Sequence, residues 1–68
     1  MTTKALDLLE RMVEEYDKSN RNTFDSMFYL GYQPSVIYEL ESNGFILCKN
    51  DIIGSIVLTK HGYQEVKG

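Results

Sequence analysis

The chain has little of several residue types that specialised functions depend on. Its one cysteine excludes an intramolecular disulfide framework, and a single histidine leaves no recognisable zinc-binding signature. No apolar run approaches the roughly 20 residues that a membrane-spanning helix needs, and the first seven residues contain no apolar signal core. Small secreted domains usually depend on disulfides. Together these absences predict a cytoplasmic protein.

The chain also lacks an excess of positive charge. Seven Lys and Arg residues against ten Asp and Glu residues give a net charge of −3. This excludes the strongly basic footprint typical of free-standing nucleic-acid-binding domains. The hydrophobic share of 43% is ordinary for a globular protein, so we expect one domain over residues 1–68 with a small core.

Hydrophobic spacing and helix-ending residues predict three helices in the first two thirds of the chain. Apolar residues three and four apart indicate an amphipathic helix over 3–18. Thr23 is placed to cap a short second helix over 24–30, which Gly31 ends. A third helix follows over 33–43, with proline in its first turn. The second helix is expected to bury four apolar side chains: Phe24, Met27, Phe28 and Leu30.

The last third of the chain changes to a strand pattern. β-branched residues concentrate on both sides of Asn50-Asp51, which predicts a β-hairpin over 45–59. The turn is either Asn50-Asp51 alone or a longer loop from Lys49 to Gly54, and the sequence leaves both open. A short helix over 60–66 follows the hairpin.

Helices followed by a hairpin form an α+β domain of the winged helix-turn-helix type. The stretch 30–46 has Leu-Gly before the third helix and Gly-Phe-Ile after it, and it resembles the core of winged helix-turn-helix transcriptional regulators of the MarR-like and PadR-like groups. The segment 58–62, Leu-Thr-Lys-His-Gly, resembles the Leu-Thr-x-x-Gly element that closes the wing in those families. The resemblance implies a three-helix bundle with a C-terminal hairpin wing, and a small DNA-binding regulator of transcription.

The same resemblance implies where double-stranded DNA would bind. The third helix, 33–43, would be the recognition helix in the major groove, and the hairpin 45–59 would be the wing. The candidate DNA contacts are Gln33, Ser35, Tyr38 and Ser42 on the recognition helix, Lys49 and Asn50 on the wing, and Arg21 and Lys60 at the phosphates. Charge opposes this hypothesis, because the third helix carries Glu39 and Glu41 but no Lys or Arg.

The alternative hypothesis is a winged-helix protein–protein interaction module that does not bind DNA. Ile52 and Ile53 at or near the hairpin tip are hard to bury, and three tyrosines cluster around the helix-turn-helix corner. The candidate contacts with a protein partner, or with a second copy of the chain, are Tyr29, Tyr32, Ile52 and Ile53.

Catalysis, cofactors and metals are not expected. Cys48 and His61 are the only soft nucleophile or base candidates, and nothing in their spacing makes them neighbours. We interpret Cys48 as a small buried hydrophobe and His61 as a solvated residue at a helix start. The sequence has no phosphate-binding glycine loop and no convergent set of oxygen ligands.

Overall fold

The computed structural model describes all residues, 1–68, as three helices and a small antiparallel sheet. The elements follow one another as α1 (Thr3–Ser19), β1 (Thr23–Phe24), α2 (Pro34–Ser42), β2 (Ile46–Cys48), β3 (Ile56–Leu58) and α3 (Lys60–Lys67). The strands lie in the order β1-β3-β2, and both pairings are antiparallel. The α+β class is confirmed.

Helix α1 forms where the apolar spacing predicts it. The Thr2 side chain accepts a hydrogen bond from the Ala5 N–H at its start, and the helix ends at Asn20, whose φ of 62° is left-handed. Its inner face buries Leu8, Leu9 and Met12 completely. Burying side chains of this size stabilises the fold by about 2 kcal/mol each, so α1 is the main support of the core.

The predicted second helix, 24–30, is wrong. Residues Thr23 and Phe24 form strand β1, which pairs with Val57 and Ile56 of β3, and turns follow over 26–32. Thr23 is therefore not a helix cap, and the helix-turn-helix lacks its first helix. A seven-residue helix is marginal by itself, whereas two backbone pairings on an existing hairpin stabilise the strand.

The burial expected from that helix is wrong in part. Phe24 is fully buried, as a strand residue, and Phe28 is half-buried against the core. Met27 and Leu30 are each 72% exposed. The Asp25 carboxylate accepts the Met27 N–H at 3.1 Å, the local bond by which Asp favours a turn over a helix.

The hairpin forms with the longer of the two turns that the sequence allows. Cys48 pairs with Ile56 in the last ladder position, and the Lys49 N–H donates to the Ser55 carbonyl at 2.8 Å. Within the loop, the Asp51 carboxylate accepts the Ser55 N–H at 2.9 Å. The pairing of Cys48 with Ile56 excludes a turn of Asn50-Asp51 alone. The Asp51 bond stabilises the wider loop.

Helix α3 is held close against the start of the hairpin. Thr59 caps it by accepting the Gly62 N–H at 3.0 Å, and the Thr59 hydroxyl donates to the Gly44 carbonyl at 2.7 Å. Gly62 lies so near the backbone of Phe45 that a β-carbon there would be 2.2 Å from the Phe45 oxygen. None of the three helices combines the length and the apolar character that crossing a bilayer requires.

Candidate functional site

The structure brings together the DNA-contact candidates of α2. Gln33, at the helix N-cap, makes no capping bond with its side chain. Ser35, Tyr38 and Ser42 are three and four residues apart, so they share one stripe of the helix. All four residues are exposed. This stripe is neutral, with one aromatic ring and three short or uncharged polar groups.

The charged residues of α2 are both acidic. Glu39 accepts hydrogen bonds from the Thr2 N–H and the Thr2 hydroxyl, each at 2.8 Å, and these bonds hold the pKa of Glu39 below its usual value. Glu41 is exposed. The helix therefore offers a duplex two carboxylates and no cation that could contact its phosphates.

Cys48 lies on the strand beside Glu41 and is exposed, so its interpretation as a buried hydrophobe is wrong. Desolvation first, and the Glu41 carboxylate second, raise the pKa of the Cys48 thiol. His61 is exposed in the first turn of α3, as predicted, with its ring 5.0 Å from that of Phe45. No three His, Cys, Asp or Glu side chains converge on a point that would hold a metal ion.

The remaining DNA-contact candidates are not brought together. Lys49 and Asn50 belong to the hairpin tip, whereas Lys60 follows the far end of β3, about 17 Å from the tip at the usual rise of a strand. Arg21 precedes β1, on the opposite edge of the sheet from β2. Its Nε donates to the Thr23 carbonyl at 3.2 Å. These cations form no continuous basic patch with α2.

The residues of the alternative hypothesis do come together. The Tyr29 hydroxyl donates to the Gly54 carbonyl at 2.6 Å, and the Ser26 N–H donates to the Ile53 carbonyl at 3.1 Å. Burial is the main cause that raises the pKa of Tyr29, followed by the charges of its neighbours. The turns of residues 26–32 are therefore fastened to the hairpin tip.

Tyr29 also lines a groove that runs onto α2. The groove has a volume of about 360 Å³, and its walls are Tyr29, Tyr32, Pro34, Ile37, Tyr38 and Glu41. At the adjoining tip Ile52 is fully exposed and Ile53 is 55% exposed. We call Tyr29, Tyr32, Ile37, Tyr38, Ile52 and Ile53 the docking surface.

Ile37 is the member of this surface that sequence reasoning missed as a contact residue. It follows Val36, which points into the core, and successive residues of a helix are turned by about 100°. That angle moves Ile37 to the border of the buried stripe, where it remains half-exposed. The position of Ile37 at the edge of the apolar stripe was therefore the signal in the sequence that could have identified it as a contact residue.

A larger depression, of about 500 Å³, lies at the other end of the hairpin. Its walls are Tyr16, Asn22, Leu58, Thr59, Lys60 and Tyr63. The Tyr63 hydroxyl is engaged with Asp17 at 2.8 Å, and Asp17 is paired with Lys67 at 2.5 Å. These bonds tie α3 to α1, so the depression is part of the packing between the two helices.

Comparisons with protein-family models, with curated proteins and with solved structures give no match to this chain.

Proposed function

We propose that the chain is a winged-helix-like domain that binds a protein partner through its docking surface. The order of elements supports the winged-helix layout, because a helix and a short strand precede α2 and the hairpin follows it. The strand order β1-β3-β2 is the one in which the first strand completes the sheet of the wing.

The hydrogen bond from Tyr29 to Gly54 carries the proposal. This bond, 2.6 Å long, connects the groove on α2 to the apolar tip of the hairpin. Large aromatic and aliphatic side chains held rigidly beside one another are typical of the centres of protein–protein interfaces. Ile52 and Ile53 add exposed apolar side chains at the hairpin tip, and exposed apolar patches are typical of protein interaction sites.

The charge in the groove indicates the chemistry of the partner. Glu41 is the only charged residue that lines the groove, and its carboxylate makes no ion pair. A segment that fits would place apolar side chains on the tyrosines and a Lys or Arg beside Glu41, since opposite charges across an interface set its register. The proposed partner is therefore a protein segment with an apolar face and a basic residue at its border.

A selection from displayed random peptides of about 12 residues tests this chemistry, since a segment of that length can cover a groove on one helix. We expect enrichment of peptides that combine apolar residues with Lys or Arg. The double substitution Ile52→Asp, Ile53→Asp should weaken the selected peptides at least tenfold. Leu6→Asp on α1, also an exposed apolar residue turned acidic, is the matched control and should leave affinity unchanged.

Reversing the charge of the groove makes the test sharper. Glu41→Lys should change the selected peptides from basic to acidic while the apolar positions persist. Peptides that ignore both the tip substitutions and the charge reversal would contradict the proposal. Sedimentation that shows a dimer abolished by Ile52→Asp, Ile53→Asp would assign the docking surface to a second copy of the chain instead.

Duplex DNA is the second candidate partner that we propose. The favouring observation is the exposure of Gln33, Ser35, Tyr38 and Ser42 along the helix that precedes the hairpin. An anisotropy titration with random duplexes at about 50 mM salt tests it, because low salt favours phosphate contacts. In this hypothesis Lys49→Ala lowers the salt slope by about one unit. Absence of binding to any duplex would remove the DNA candidate and leave the protein candidate standing.

A further inference from the structure

Cations and aromatic rings alternate along one side of the molecule, next to the docking surface. Lys4 and Tyr32 line the same depression of about 240 Å³ at the start of α2. The Arg11 guanidinium lies 5.7 Å from the ring centre of Tyr32 and 4.6 Å from that of Phe28. Arg21 lies 6.0 Å from the same Phe28 ring. We call the series Lys4, Tyr32, Arg11, Phe28 and Arg21 the Arg–aromatic stripe.

The two arginines of this stripe have most of their donors unused. Arg11 donates one bond, from Nη1 to the Tyr32 hydroxyl at 3.2 Å, and Arg21 donates one, from Nε to the Thr23 carbonyl. A guanidinium carries five N–H groups. The only ion pair of the structure joins Lys67 to Asp17, so no carboxylate is in direct contact with either arginine. The rings of Phe28 and Tyr32 attract the charge of Arg11 and orient its plane, and they leave its remaining N–H groups without a protein partner.

Acidic residues near the stripe limit what it can bind. Asp7 accepts the Tyr32 hydroxyl, and Glu14 and Glu15 follow Arg11 on the same side of α1. The local positive charge is therefore small, which disfavours ligands that depend on phosphate neutralisation alone. A ligand that binds here must therefore also stack on the flat faces of the guanidinium and the rings.

We propose that the Arg–aromatic stripe binds single-stranded nucleic acid. Unpaired bases stack on guanidinium planes and on aromatic rings, whereas bases inside a duplex are already stacked on one another. The unused N–H groups of Arg11 and Arg21 meet the phosphates between those bases. Lys4 and Arg11 are about 10 Å apart along the helix axis, so the stripe is long enough to contact a short segment of a few nucleotides. This inference goes beyond the proposed function and does not depend on it.

Anisotropy titrations with fluorescein-labelled oligo-dT and oligo-U of about 12 nucleotides test the proposal. We expect binding with a shallow salt slope of about 2 or less, from three cations at most. Arg11→Gln and Arg21→Gln should each weaken binding about fivefold or more. Lys60→Gln, which removes the same charge away from the stripe, is the matched control and should change binding less than twofold.

Arg11→Lys separates the contribution of stacking from that of charge. It keeps a cation over Phe28, so we expect this variant to fold like the wild-type protein. We expect its binding to be weaker than wild type and stronger than that of Arg11→Gln, because lysine keeps the charge but offers no plane for a base. Binding by Arg11→Lys at wild-type strength would overturn the stacking argument. Equal binding of a duplex, equal competition by a glutamate peptide of the same length, or no binding at all would overturn the ligand assignment. Ile52→Asp, Ile53→Asp should leave this binding unchanged, which separates it from binding at the hairpin tip.

Discussion

Alanine at position 62 places two effects of opposite sign in competition. Replacing a helical glycine by alanine normally stabilises a protein by about 1 kcal/mol, through helix propensity. In this structure the new β-carbon would be 2.2 Å from the Phe45 carbonyl oxygen and 3.1 Å from the Phe45 α-carbon. Both atoms are backbone, so relief requires α3 to move away from the hairpin. Overpacking of this kind costs about 3 kcal/mol, and the net effect of Gly62→Ala is a loss of about 2 kcal/mol.

That loss is large for a chain of this size, whose total stability is roughly 3–10 kcal/mol. We expect the melting temperature of Gly62→Ala to fall by about 10 °C in a thermal unfolding experiment followed by circular dichroism. Gln64→Ala, at an exposed position of the same helix, is the control and should change stability by less than about 0.5 kcal/mol. A Gly62→Ala melting temperature at or above wild type would refute the close contact between α3 and Phe45.

Three further predictions concern the tip, the acid limb and the DNA candidate. Tyr29→Phe removes the donor to the Gly54 carbonyl and should lower the free energy of unfolding by about 1 kcal/mol. Amide hydrogen exchange should become faster only in residues 26–32 and 50–54. Unchanged exchange in those residues would show that the bond does not hold the tip. Hydrogen bonds to the charged carboxylates keep the pKa values of Glu39 and Asp51 low, so stability present at neutral pH is lost as the pH falls below about 4. Glu39→Gln should flatten that acid limb in urea titrations across pH, and an unaltered pH profile would contradict the Thr2 contact. In a duplex titration, Lys49→Ala should lower the salt slope by about one unit, and a slope equal to that of the wild type would show that Lys49 contacts no phosphate.

The long-range pairing of β1 explains why one helix was predicted in error. Thr23 and Phe24 have the local pattern of a cap and a first turn, and the residues that make them a strand, Ile56 and Val57, are more than 30 positions away. Helix α1, the start of α2 at Pro34 and the Thr59 cap depend on neighbours in sequence, so local rules predict them. A two-residue strand such as β1, which depends on pairing with distant residues, has no local periodicity that would predict it.

The functional surface was predictable only in its parts. Exposure of Ile52 and Ile53 follows from their place in the loop, but the contact of Tyr29 with Gly54 depends on a loop length that the sequence left open. The positions of the cations were missed for a related reason. Arg11 belongs to α1, and its contact with Phe28 joins residues 17 positions apart, which no local pattern in the sequence indicates.

Titration of ¹⁵N-labelled protein with a selected peptide, followed by amide NMR, tests most directly whether the groove and the hairpin tip act as one surface. We expect shift changes together at Tyr29, Ile37 and Tyr38 and at Ile52 and Ile53, with the same midpoint, because the Tyr29–Gly54 bond joins them. Changes confined to α2 with a silent hairpin tip, or changes located on α1, would contradict the account.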